Sequence, residues 1–276
     1  MHTPGKSDKS DSGKHMEAST VLAEHMSTFA YEPEVKMQAE QALKFSTMGG
    51  AERNKTVLDN MQRESQAVRE LYKVRSLPLA EGFQEKVVKL SDDLDLRALS
   101  ADSKRLSEQA ARTKDPAQRQ ELLSASTSLA VAGASPFIER ARLGAIQLRQ
   151  GKEGAAERTF AEAIKTNIPD VSAAVPSVQQ LKQAVIERHE ELKVKRTLPE
   201  VFKANVDWID TGKDGAVDRN ELRTASADKS KNITAKTLIQ YLMKNFDNID
   251  HGTNGIAAAD VSKYWRQQND PNKITD

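Results

Sequence analysis

Of the five carboxylates in NVDWIDTGKDGAVDRNEL, residues 205 to 222, four are closely spaced about a glycine: Asp210, Asp214, Asp218 and Glu221, with Gly215 among them. Forty residues later NFDNIDHGTNGIAAADV repeats the frame N-x-D-x-I-D-x-G-x-[DN]-G. Carboxylate oxygens only accept. They can receive the amides of a tight turn or offer themselves to a cation, and an Asp-rich turn with no ligand is the plainer of the two readings. Little else in the chain suggests chemistry. With no cysteine, disulfides, thiolate metal sites and cysteine nucleophiles are excluded. The five histidines, His2, His15, His25, His189 and His251, show no metal-ligand spacing and are expected to face solvent. No GxxxxGK[ST], GxSxG or HExxH motif occurs, nor a GxGxxG following a strand. Asp92 and Asp93 read as a solvated turn, and the basic run LKVKR at 192 to 196 as a solvated helix end. No enzyme is expected.

Counted from Asp210, the first segment resembles the calcium loop of the EF-hand family, which carries oxygen ligands at positions 1, 3, 5, 7, 9 and 12 and a glycine at 6. The resemblance assigns Asp210 to position 1, Asp214 to 5 and Gly215 to the turn. It gives the backbone carbonyl of Ala216 to position 7, Val217 to the apolar position 8, Asp218 to 9 and the bidentate carboxylate of Glu221 to 12. Gly212 at position 3 offers no side-chain oxygen, so a water fills that vertex and the implied affinity is weak, about 10⁻⁵ to 10⁻³ M. Phe202, Val206 and Ile209 form an apolar face on an entering helix begun by Pro199, and Leu222 opens the leaving one.

The second copy places Asp250 at position 1, Gly252 at 3, Asn254 at 5 and Gly255 at 6, and then two alignments remain open. Without a gap, Ala257, Ala258 and Val261 fall at 8, 9 and 12, and no acid closes the loop. If the loop is one residue short, Ile256 is the apolar pairing residue and Asp260 the closing acid, a shorter side chain that favours Mg²⁺ or no ion over Ca²⁺. EF-hands pair through a short two-stranded contact between their loops, so the second copy has a structural use even without its ligands. Residues 197 to 276 are thus expected to form an EF-hand pair, with ITAKTLIQYLMKNF as the second entering helix and VSKYWRQQ as the last.

The remainder must position this pair, and its composition is that of helices. Aromatics make up 5% of 276 residues, while Ala, Leu, Glu, Gln, Lys and Arg abound. Residues 1 to 16 are polar and charged, without an apolar stretch for a signal peptide, and read as a disordered tail. From 17 to 196 the apolar spacing is helical. Val57, Leu58, Met61, Val68, Leu71 and Tyr72 share a face; Val87 to Leu106 form a second stretch, expected to break between Leu96 and Ser103; Asp115 caps a helix begun by Pro116. Within this region SPFIERARLGAIQLRQGKEGAAERTFAEAIKTNIPD, from residue 135, resembles a tetratricopeptide repeat. Leu143 and Gly144 match the Leu-Gly pair of its first helix, Ala156, Phe160 and Ala163 the second helix, and Pro169 the terminating proline one place late. The family's first-helix aromatic positions hold Arg140 and Gln147 instead. The resemblance implies close helix packing at Gly144 and Ala156, with Phe160 between neighbouring units. A repeat-like stack and an irregular bundle both remain open.

These expectations combine into an all-α, non-enzymatic calcium-binding protein: a disordered tail, a helical scaffold for a peptide or protein partner, and a C-terminal EF-hand pair with one competent loop. The alternative is a structural or adaptor protein whose hands no longer bind calcium at physiological levels. The 41 basic and 40 acidic side chains cancel, which gives no field to attract nucleic acid or an anionic membrane, and no apolar run is long enough to span a bilayer. The expected address is the cytoplasm.

Overall fold

The computed structural model describes residues 51–250 and 255–269, and the fold is all-α. The expected tail at 1 to 16, the start of the helical region, four of the five histidines and residues 251 to 254 lie outside the described residues. The chain divides into two compact units between Val185 and Ile186.

The first unit is a succession of helix hairpins: α1 (Ala51–Lys73) with α2 (Leu77–Asp92), α3 (Leu96–Arg112) with α4 (Pro116–Gly133), and α5 (Ser135–Arg149) with α6 (Glu153–Lys165). A single turn, α7 (Asp170–Ala173), packs on α3 and α4. Each boundary has a local cause. Asp95 caps α3 by accepting the Ala98 amide at 3.0 Å, and Asp115 does the same for α4 from Ala117 at 3.0 Å, ahead of Pro116. Arg75 (φ 62°) and Gly151 (φ 72°) supply the left-handed turns after α1 and α5. The break expected between Leu96 and Ser103 falls earlier, at Asp93 to Asp95, because Asp95 takes the cap position and leaves Leu96 as the first helical residue. Asn54 of α1 secures that junction by accepting the Asp95 amide at 2.9 Å.

Met61, Val87, Leu99, Leu106, Leu129 and Ile146 belong to one core cluster. Against this core α5 is buried on nearly every side, and its polar residues are paired accordingly. Glu139, fully buried, accepts from Gln84 Nε2 at 2.7 Å and Arg142 Nη1 at 2.9 Å. Arg140 grips Asp92 with two bonds of 2.8 Å, so Asp92 is an inter-helix partner and not part of a merely solvated turn. Gln147 joins Glu81 at 3.2 Å to the Thr159 hydroxyl at 2.8 Å. The two positions that depart from the tetratricopeptide pattern, Arg140 and Gln147, therefore carry polar bonds between helices. Phe160 lies over Gly144 of its own hairpin: a Cβ on Gly144 would stand 2.4 Å from its Cε1. That contact lies within the hairpin.

The second unit takes the end of α8 (Pro176–Arg196) together with α9 (Leu198–Lys203), α10 (Val206–Ile209), α11 (Arg219–Ser226), α12 (Ile233–Lys244), α13 (Phe246–Ile249) and α14 (Ala258–Gln268). Strand β1 (Ala216–Val217) pairs antiparallel with β2 (Ile256–Ala257). Val194 joins the core formed by Phe202, Ile209, Leu222, Leu238 and Ile249. The stretch LKVKR is accordingly only half solvated, since Leu192 and Val194 are buried. Among the described residues no helix is long and apolar enough to cross a membrane.

Candidate functional site

The repeated frame begins with asparagine, and in both copies that asparagine breaks the helix before the loop. Asn205 separates α9 from α10, and Asn245 separates α12 from α13. Each turns its amide back on the preceding turn, Asn205 Nδ2 to the Val201 carbonyl at 2.8 Å and Asn245 Nδ2 to that of Tyr241 at 2.9 Å. Their side-chain oxygens accept from Trp208 Nε1 at 3.1 Å and from the Tyr264 hydroxyl at 3.3 Å. The continuous entering helix expected at each hand is thus a helix followed by one offset turn. The signal was in the sequence as the first letter of the repeated frame.

The first loop folds around its own acids. Asp210, buried, accepts the Gly215 amide at 2.9 Å and the Asp214 amide at 3.3 Å. Gly215 takes φ 86°, a conformation that favours glycine, and Lys213 takes φ 54° just before it. Asp214 accepts the Ala216 amide at 3.0 Å. Asp218 caps α11, accepting from Asn220 at 2.7 Å and Glu221 at 2.8 Å, while Glu221 Oε2 accepts the Asp218 amide at 3.0 Å to complete a capping box. Glu221 Oε1 reaches across the loop to the Gly212 amide at 2.8 Å and the Thr211 hydroxyl at 3.1 Å. Thr211 is a contact that residue-type reasoning missed, because position 2 is not among the family's ligands.

Asp210 and Glu221, the two ends of the loop, both lie beside Gly212. Asp214 and Asp218 turn their carboxylates to neighbouring amides, and the Ala216 carbonyl lies in β1. Among the described residues no three His, Asp or Glu side chains gather closely enough to hold a metal ion in this conformation. The donor chemistry of the first loop fits a hard cation: three aspartates, a glutamate and a backbone carbonyl, all oxygen, with Asp210 and Glu221 already facing inward.

The second loop pairs with the first in a definite register. Val217 stands opposite Ile256 and Ala216 opposite Ala257. Asp260 Oδ2 accepts the Ala257 amide at 3.0 Å, the same bond that Glu221 makes to Asp218, so Ile256 corresponds to Val217 and Asp260 to Glu221. Gly255 has φ 147° and lies against β1, where a Cβ would meet the Val217 carbonyl oxygen at 3.1 Å. Asn254 lies outside the described residues. Ala257 stands where Asp218 stands in the first loop and has no side-chain oxygen, so the second loop offers one side-chain oxygen fewer than the first at that place.

Compared with protein-family models, with curated proteins and with solved structures, the chain finds no match.

Proposed function

We propose that this chain is a non-enzymatic calcium-binding protein whose C-terminal unit is an EF-hand pair with one competent loop, and whose first unit is a helical scaffold for a peptide or protein partner, acting in the cytoplasm. The observation that carries the reading is the closure of the first loop on its own acids, Asp210 onto the Gly215 amide and Glu221 onto the Gly212 amide, beside a sister loop in antiparallel register. Asp210, Asp214, Asp218, Glu221 and the Ala216 carbonyl would hold the ion, which would neutralise their mutual repulsion and stiffen the loop. With glycine at position 3 the affinity falls at about 10⁻⁵ to 10⁻³ M.

A second reading, a structural hand pair without calcium, draws on two observations: each carboxylate of the first loop already has an amide partner, and the second loop keeps its fold through Ile256 and Asp260. Glu221→Gln separates the two. Glutamine leaves one neutral oxygen where glutamate had two sharing a full charge, so the first reading expects calcium binding at least about tenfold weaker, measured by titration calorimetry. Equal binding by the variant and the parent would remove Glu221 from the site and with it the register.

A further inference from the structure

We infer that Thr211 sets the affinity of the first loop by competing with the ion for Glu221, an inference that rests on the calcium reading above. An ionised carboxylate offers about four lone-pair directions, two on each oxygen. Three are taken on Glu221: Oε1 accepts from the Gly212 amide and the Thr211 hydroxyl, and Oε2 accepts from the Asp218 amide. A bidentate ligand needs one free direction on each oxygen. Oε2 has one; Oε1 has none.

One of the two bonds to Oε1 must therefore open before Glu221 can close on an ion. The Gly212 amide is fixed in a backbone that Lys213 at φ 54° and Gly215 at φ 86° hold in shape. The Thr211 hydroxyl is on an exposed side chain whose rotation returns it to water. Thr211 is the donor that yields. It acts as a latch, holding Glu221 inward when no metal is bound and giving up its bond when the ion arrives, so the stability of the metal-free loop and the affinity for calcium are set in opposition. Thr211 is a positioning residue, not a ligand.

The test uses the full chain as Thr211→Val, which keeps the shape and loses the hydroxyl, and Thr211→Ser, which keeps the hydroxyl. Both tryptophans, Trp208 and Trp265, lie in the second unit, so their emission follows that unit's melting. In chelator the valine variant is expected to melt about 2 to 4 °C below the parent, and by calorimetry to bind calcium about three- to tenfold more tightly, with serine near the parent in both. An unchanged metal-free melt overturns the latch. Calcium bound no more tightly by the valine variant than by a parent that does bind overturns the competition and leaves the calcium reading standing. No calcium binding by any of the three proteins overturns both.

Discussion

Asp210 and Glu221 both border Gly212: Asp210 Oδ1 lies 3.9 Å and Glu221 Oε1 3.4 Å from the place where a Cβ on Gly212 would stand. A side chain at this position would meet both carboxylates. Gly212→Asp inserts a third charge. Metal-free, the variant is expected to be less stable than the parent, because like charges at short range repel. Under the proposed calcium reading it should bind the ion more tightly, because the new carboxylate adds the oxygen that glycine cannot offer. Melting by tryptophan emission with and without calcium checks both signs, and a variant stabilised in chelator would show that the new carboxylate meets no repulsion from Asp210 and Glu221.

If the first loop takes calcium as proposed, a modest optical response is expected. Trp208 is held by Asn205 Oδ1 at 3.1 Å and covered by Lys231, whose Nζ lies 4.2 Å from the ring centroid; Trp265 Nε1 donates to the Arg196 carbonyl at 2.9 Å. The second loop is already fixed by Val217 opposite Ile256 and by the Asp260 cap, so it has little to contribute to opening the first. Emission of the full chain, with Trp265→Phe to isolate Trp208, should shift slightly and bind no hydrophobic dye. A large red shift with dye binding would make this an opening sensor. A fragment cut at residue 197 would lose Val194 and the Arg196 carbonyl, so the full chain is the proper sample.

In the first unit, Gly144→Ala is expected to destabilise by about 1 to 3 kcal/mol, because the new methyl would overlap the fully buried ring of Phe160. Phe160→Leu in the same chain should recover part of the loss. Chemical denaturation followed by far-ultraviolet dichroism measures both, and additive losses in the double variant would contradict the contact.

Acid should weaken the first unit through Glu81. Burial raises its carboxyl pKa, but bonds from Lys152 at 2.5 Å, Gln150 at 2.9 Å and Gln147 at 3.2 Å outweigh it, and the net displacement is below the ordinary 4.5. A group whose pKa is lowered on folding adds stability above its unfolded value and loses it as pH falls through the folded one. Parent stability should therefore decline below about pH 4.5 more steeply than that of Glu81→Gln. Identical acid limbs would show that Glu81 takes no part.

The helical class was legible because amphipathic spacing and caps such as Asp115-Pro116 act locally, and the helices they mark are present. The turn at Gly215 was legible because the glycine and the acids around it act over a few residues. The second loop was not, since choosing between its two alignments needs the partner strand: Val217 opposite Ile256 is a contact across forty residues. Polar residues on α5 look like surface in sequence. Arg140, Gln147 and Glu139 are instead partners of Asp92, Glu81 and Gln84, and only the neighbouring helix reveals it. The helix breaks at Asn205 and Asn245 did carry a sequence signal, the first letter of the repeated frame, and the side chains of those asparagines are held by Trp208 and Tyr264.

The most direct measurement is a calorimetric calcium titration of the full chain at neutral pH, carried to millimolar ion. One site per chain is predicted, with a dissociation constant of about 10⁻⁵ to 10⁻³ M, abolished or at least about tenfold weakened by Glu221→Gln and unaltered by Asp260→Asn. No saturable heat from the parent, or a binding curve that responds to Asp260 and not to Glu221, would contradict the proposal that the first loop is the calcium site.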